Sequence, residues 1–191
     1  MSQTYARVDP ASLKDVLNLL QAYREGGKKA LQRSVNHGAR QGRKISVDEM
    51  ARKVALKKKV IRAHTSMYFA SLSNLSAKLV IKGKPVPLIE YGARQTKKGV
   101  TFKIWKDSKR ERYRHAFIAQ VTGAQAKGVY ERDIGASDYN GRTPLRAKRG
   151  PAVPNVYDKT PGLAKKAEEL AANEMLKELD RQIGLIERGF F

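Results

Sequence analysis

Cysteine is absent from this 191-residue chain, which excludes disulfide bonds and cysteine-based metal sites. The three histidines, His37, His64 and His115, have no second histidine or suitably spaced acid beside them that would form a familiar metal-ligand pair. No apolar run approaches the length of a membrane span, and residues 1–16 lack the apolar stretch of a secretion signal. We therefore expect a protein made in a cytoplasm, without cofactor, metal or membrane partner.

Acidic residues are few. The chain has 18 of them against 39 Lys and Arg, which gives a formal net charge of +21. Such a charge calls for an anionic partner, because without one the folded chain repels itself. Nucleic acid is the first candidate, an acidic protein surface the second and an anionic membrane the third. Hydrophobic residues make up 41% of the chain, so the composition is compatible with a packed core.

The sequence also lacks the patterns of a catalytic site. It contains no nucleophile elbow and no glycine loop of the phosphate-binding type. The sparse acids of the central region lie among basic neighbours, which favours the ionised carboxylate and opposes a role as general acid. The sequence therefore predicts no enzymatic activity. An enzyme that acts on an acidic polymer is the weakest of the functional hypotheses because it lacks an acid–base pair.

Residues 1–62 have helical periodicity. Gly26-Gly27 either kinks or breaks this run, so the chain up to Gly42 is one interrupted helix or two. The SVDE pattern from Ser46 to Glu49 is typical of a capping box and predicts the start of another helix, which would carry the basic segment KKKVIR (57–62). The apolar residues at helical spacing before Gly42 are Val16, Leu20, Tyr23, Leu31 and Val35.

Residues 76–132 predict a small antiparallel sheet of four to five strands. SAKLVIK and VPLIEY flank Gly83-Lys84, a two-residue hairpin turn, and the two prolines place the second strand, 85–91, at a sheet edge. GVTFKIW (99–105) alternates like a half-buried strand. HAFIAQV and VYER, joined by the small-residue loop TGAQAKG, predict a further hairpin.

The remaining chain predicts an extended arm over 133–160, which is rich in Gly, Pro, Asn and Asp, and a C-terminal helix over 161–188. Thr160-Pro161 is typical of a helix start. We therefore predict one α+β domain with long N-terminal helices, one small antiparallel sheet, a long connecting arm and a C-terminal helix. The apolar stripe predicted for that helix is Leu176, Leu179, Ile183 and Ile186.

The most basic stretch, KKGVTFKIWKDSKRERYR (97–114), interleaves aromatic residues with cations. Such a pattern can hold a phosphate backbone and stack bases; it can equally face water or an acidic subunit. Phe102 has the same parity as Val100 and Ile104, which predicts a place in the core. The candidate contact surface for DNA or an acidic partner is Lys97, Lys98, Lys103, Lys106, Lys109, Arg110, Arg112 and Arg114.

The order of several segments resembles the phage minor tail protein Z family, also called tail completion proteins. The resemblance spans roughly residues 28–186 and differs in the inserted DIGASDYNG and a longer N-terminal helix. The segments that carry it are LKKKVIRAH, AKLVIKGKPVPLIEYGARQTKKGVTFKI, HAFIAQVTGAQAKGVYER and LRAKRGPAVPNVY.

The resemblance implies a structural virion protein of a tailed bacteriophage that completes the upper end of the tail and enables head–tail joining. It suggests a homo-oligomeric, sixfold ring at the neck of the virion, after assembly in the host cytoplasm. The implied partners are tail tube or terminator proteins and head connector proteins, with non-specific DNA contact left open.

Three segments are candidates for contacts in such an assembly, and one of them is the predicted arm 133–160. A neighbouring copy could extend the predicted edge strand 85–91, which carries Val86, Leu88 and Tyr91. The terminal aromatic pair, Phe190 and Phe191, could dock on a neighbour or pack on its own helix. A basic nucleic-acid-binding module without enzymatic activity is the alternative to the whole interpretation.

Overall fold

The computed structural model describes residues 4–7, 24–121 and 126–188 and contains four helices and nine strands within them. The helices are α1 (Arg24–Lys53), α2 (Lys58–Ala63), α3 (Val153–Asp158) and α4 (Leu163–Glu187), and a 3₁₀ helix covers Leu88–Tyr91. The strands are β1 (Thr4–Arg7), β2 (Thr65–Tyr68), β3 (Lys78–Ile81), β4 (Arg94–Thr96), β5 (Gly99–Phe102), β6 (Glu111–Tyr113), β7 (Ala116–Ala119), β8 (Gly128–Arg132) and β9 (Leu145–Ala147).

Contacts divide the chain into two compact units, where the sequence predicts one domain. Among the described residues, the first unit combines those up to Glu49 with Thr65–Lys82 and those from Thr160 onward. The second unit combines Met50–His64 with Gly83–Lys159. Mixed helix and antiparallel sheet, a long helix near the N-terminus and a C-terminal helix are confirmed.

The strands form three separate antiparallel sheets, so the prediction of one sheet with four to five strands is wrong. Their orders are β1-β3-β2 in the first unit, and β4-β5-β6 and β7-β8-β9 in the second. The hairpin predicted from HAFIAQV and VYER is confirmed, since Phe117 lies opposite Tyr130 and Ile118 opposite Val129. GVTFKIW forms a strand only over β5.

Helix α1 runs continuously through Gly26-Gly27, through Gly42 and through Ser46, so the predicted break and capping box are wrong. The buried Ser46 hydroxyl donates to the Gly42 carbonyl at 2.8 Å, one turn back within the helix, instead of capping a new one. The segment KKKVIR lies largely on the separate short helix α2, with Lys57 at its N-cap. The predicted helical residues Val16, Leu20 and Tyr23 lie outside the described residues.

Close packing of α1 against α4 requires two of the glycines of α1, Gly38 and Gly42. A Cβ atom on Gly38 would lie 2.4 Å from the Ala171 carbonyl oxygen, and one on Gly42 would lie 3.2 Å from the Ala171 Cβ. The two glycines therefore let the helix backbones approach. The hydrophobic cluster beside them contains Leu31, Val35, Ala70, Ala77, Met175 and Leu179.

The segment 85–91 is not an exposed edge strand, and the hairpin predicted around Gly83-Lys84 is wrong. β3 pairs with β1 and β2, whereas Val86 and Leu88 donate their N–H groups to the Pro151 and Lys148 carbonyls. Pro85 and Pro87 have no N–H group, which prevents a regular ladder and leaves isolated pairing with 148–151. The last turn of the segment is the 3₁₀ helix.

Residues 133–160 are only partly extended, in contrast to the predicted arm. They contain β9, which pairs with β8, and α3, whose Val153, Val156 and Tyr157 are buried. The apolar residues of the VPNVY segment therefore belong to the core of the second unit. Helix α4 begins at Leu163, after Gly162, which is two residues later than predicted. The Thr160 carbonyl accepts a hydrogen bond from the Leu163 N–H.

Candidate binding surface

The basic stretch 97–114 forms most of the β4-β5-β6 sheet and the turns around it. Gly99, the first residue of β5 after the β4–β5 turn, has φ of +110°, and a Cβ atom there would lie 2.1 Å from the Tyr113 carbonyl oxygen. Only glycine permits this approach. It brings the turn that carries Lys97 and Lys98 against the chain at Tyr113–Arg114.

Two of the eight candidate cations have structural partners. The Lys106 ammonium donates to the Ala51 carbonyl at 2.6 Å. The Arg110 guanidinium donates to the Gly92 carbonyl at 2.7 Å and to the Thr101 carbonyl at 3.1 Å. Both side chains thus stabilise the turns of the second unit. The structure does not bring the eight cations together as one equivalent set.

The other six cations differ in exposure. Lys103 is half-buried, and the remaining five are exposed. Those five side chains lie open to solvent: Lys97, Lys98, Lys109, Arg112 and Arg114.

The three aromatic residues of the stretch differ in exposure, and Tyr113 alone is exposed. Phe102 is 1% exposed, which confirms its predicted place in the core. The Tyr113 ring lies 4.8 Å from the Phe102 ring, centroid to centroid, and the Lys148 ammonium lies 5.1 Å from the Tyr113 ring. Trp105 is half-buried, and its backbone forms an isolated β-bridge with Val54. Stacking of a base on Phe102 would require its ring to leave the core.

A cleft of about 490 Å3 lies beside this sheet within the second unit. The β4–β5 turn contributes Lys97, the β6–β7 turn contributes Arg114 and His115, and the ends of β7 and β8 contribute Phe117 and Arg132. Ile134 and Tyr139, from the chain after β8, complete the lining.

A side-chain hydrogen bond and a cation–π contact connect the elements that line this cleft. The Gln95 side-chain carbonyl accepts from the Ile118 N–H at 2.8 Å, which joins β4 to the free edge of β7. The Arg132 guanidinium lies 5.4 Å from the centre of the Phe117 ring. Sequence patterns did not identify Gln95, Arg132 or Ile134 as site residues. Contacts between turns that are distant in the chain leave no recognisable pattern in the local sequence.

A second cleft, of about 430 Å3, lies between α1 and α4 in the first unit. The Arg181 guanidinium, at 2.6 and 2.8 Å, and the Gln182 amide, at 2.7 Å, lower the pKa of Glu178 to about 2. Lys177 and His37 lower the pKa of Glu174. Two ionised carboxylates suit ion pairing and oppose general-acid catalysis.

Within the described ranges, no group of His, Asp and Glu side chains is placed to hold a metal ion. None of the helices in those ranges is long and apolar enough to cross a membrane.

The predicted assembly contacts fall in two places. Val86, Leu88 and Tyr91 are at most 1% exposed, so the expectation that they present an open sheet edge is wrong. The Tyr91 hydroxyl donates to the Pro151 carbonyl at 2.7 Å, and burial raises the pKa of this side chain. Phe190 and Phe191 lie outside the described residues. No family model, curated protein or solved structure matches this chain.

Proposed function

We propose that this chain is a structural virion protein of a tailed bacteriophage that completes the upper end of the tail and enables head–tail joining. The observation that carries the proposal is the order of four sequence segments that resemble the minor tail protein Z family. The proposal places copies of the chain in a sixfold ring at the neck, between the tail tube or terminator proteins and the head connector proteins.

The free sheet edges support a role in assembly. Strand β6 is an edge strand whose three residues, Glu111–Tyr113, are all exposed. An exposed edge presents main-chain donors and acceptors to which another chain can add a strand. This edge takes the place of segment 85–91 as the candidate for strand addition.

Charge also supports contact with acidic partners. The exposed cations of the stretch 97–114 lie on turns and on an edge strand, where a large partner can reach them. Such charges steer association and set its orientation, and salt weakens them. The proposed neighbours are therefore acidic surfaces of tail and connector proteins.

A genetic experiment tests the proposal. A phage that carries this gene with an early stop codon should produce filled heads and tails that lack the completed upper end, and the two should remain separate in negative-stain micrographs. The intact protein, supplied from a plasmid, should restore joined virions. Normal virions from the stop-codon phage would contradict the proposed function.

The exposed cations also favour a second candidate, a nucleic-acid-binding module. Neutralisation of phosphates releases counterions, so the logarithm of the affinity should fall with the logarithm of the salt concentration, with a slope of about −0.9 for each phosphate contact on duplex DNA. Titration of the nuclease-treated protein with duplex DNA at several salt concentrations measures that slope. A slope near zero would exclude this candidate.

A further inference from the structure

The cleft of the second unit combines cations without partners and an apolar surface. The side chains of Lys97 and Arg114 are exposed and make no hydrogen bond or ion pair with any described residue. Ile134 is 71% exposed, and the Phe117 ring is half-buried. The carboxylate at the cleft, Glu131, is paired with Lys148. The cleft therefore presents positive charge around apolar side chains.

This combination fits an apolar side chain flanked by carboxylates better than it fits duplex DNA. The phosphates of a duplex lie on its outside, one charge for about every 1.7 Å of axis, and an open ridge of cations meets them best. A concave site of about 490 Å3 whose mixed lining includes Phe117 and Ile134 can bury an apolar side chain against these two residues. Cations at its rim then select a partner with acids beside that group.

Helix α4 carries a surface of the matching chemistry. Leu176, predicted to be part of the apolar stripe, is instead 48% exposed. Asp180 lies one turn further on the same face, is exposed and has no ion pair with any described residue. Glu169 lies two turns before Leu176, at the same position of the heptad, and is exposed. The Glu169 carboxylate lies 3.9 Å from the Lys165 ammonium, and both side chains are exposed, so this ion pair is weak.

We propose that the cleft of one copy receives Leu176 of a second copy. Glu169 and Asp180 of that second copy then lie against Lys97 and Arg114 of the first. The contact rests on the proposed function, which requires a homo-oligomer. Because the two surfaces differ, repetition of the contact is heterologous and produces a ring when the rotation closes.

The absence of cysteine permits a direct test with full-length protein. The single-cysteine variants Ile134→Cys and Leu176→Cys are purified separately, mixed and oxidised mildly. A disulfide forms only where two Cβ atoms come within about 3.5–4.5 Å. We expect the mixed dimer of these variants to accumulate severalfold faster than the dimer of Ile134→Cys with a control, Leu72→Cys, whose parent residue is 50% exposed. Equal rates would overturn the proposal.

Charge reversal provides the second arm. K97E/R114E on the Ile134→Cys protein should slow the cross-link by roughly tenfold or more, since like charges across a contact repel. E169K/D180K on the Leu176→Cys protein should do the same, and mixing the two reversed proteins should restore the rate. The control is K57E/K59E on the Ile134→Cys protein, which changes exposed residues of the segment 57–62. It lowers the net charge as much as K97E/R114E does and should leave the cross-linking rate unchanged.

The two proposals fail in different ways. A preferential cross-link in a protein that the phage does not need would overturn the proposed function alone. A gene required for joining whose protein shows no preferential cross-link would overturn this contact alone. If K97E/R114E abolishes DNA binding and leaves the cross-link rate unchanged, the cleft serves nucleic acid and the proposed contact is wrong.

Discussion

The Glu178 carboxylate illustrates how a few local hydrogen bonds control one charge. Its side chain is 15% exposed and accepts from two nitrogen atoms of Arg181 and from the Gln182 amide. These donors stabilise the ionised form, so the pKa falls from the ordinary 4.5 to about 2. Because Arg181 itself is exposed, water screens part of this interaction.

A group whose pKa is lower in the folded state contributes stability above its ordinary pKa and loses it as the pH falls. We therefore expect Glu178→Gln to lower the free energy of unfolding at pH 7 by on the order of 1 kcal/mol. The variant should also lose less stability than wild type between pH 4.5 and about 2. Urea unfolding across this range measures both effects.

The control for this prediction is Glu168→Gln, which removes an exposed carboxylate without a partner among the described residues. It should leave the stability and its acid dependence close to those of wild type. An unchanged acid dependence in Glu178→Gln would contradict the assigned role of Arg181.

Lys106 and Arg110 show why single residues of the basic stretch could not be assigned from sequence. In the sequence they are equivalent to the neighbouring cations. In the fold, each reaches a backbone carbonyl from another part of the chain, Ala51 for Lys106 and Gly92 for Arg110. The position of those carbonyls depends on how distant turns meet, and no local pattern encodes it.

The contact between α1 and α4 depends on missing side chains. A Cβ atom on Gly38 would lie 2.4 Å from the Ala171 carbonyl oxygen and 2.9 Å from the Met175 Cβ, so Gly38→Ala must push the two helices apart. We expect it to lower the free energy of unfolding by about 1–3 kcal/mol. Urea unfolding followed by circular dichroism provides the measurement.

Gly184 is the matched control because it lies within α4, and an added Cβ there would meet nothing within 4 Å. Gly184→Ala should raise the free energy of unfolding by about 0.5–1 kcal/mol, since alanine loses less conformational entropy in a helix. A Gly38→Ala variant as stable as wild type would show that the helices tolerate a wider separation.

Some elements were predictable because their signals are local. The β7–β8 hairpin follows from two short apolar runs around small residues, and the predicted pairing of these two segments is confirmed. The boundary at Ser46 was wrong because packing of α1 on α4 outweighs a capping pattern. Segment 85–91 was misassigned because its hydrogen-bond partners, 148–151, lie some sixty residues later in the sequence.

The excess of positive charge affects the entire chain. At a net charge of +21, repulsion between like charges in the folded protein opposes folding. Added salt shortens the distance over which this repulsion acts and so weakens it. We expect the melting temperature to rise as sodium chloride increases from low to physiological concentration. Scanning calorimetry on nuclease-treated protein at several sodium chloride concentrations measures the melting temperature.

K57E/K59E provides the comparison for this prediction. Each substitution changes the charge by two, so the net charge falls from +21 to +17, and the rise in melting temperature with salt should be smaller. A melting temperature that falls with salt in both proteins would show that attractive pairs outweigh the repulsion.

Composition and local periodicity decided the basicity, the mixture of helix and antiparallel strands, the β7–β8 hairpin and the C-terminal helix, because each depends on neighbouring residues. Tertiary structure decided the division into three sheets, the continuity of α1, the burial of Tyr91 and the meeting of Lys97, Arg114 and Ile134 at one cleft. Each of these features depends on contacts between segments that lie far apart in the chain. Such contacts form only when the core is assembled, so local sequence patterns do not encode them.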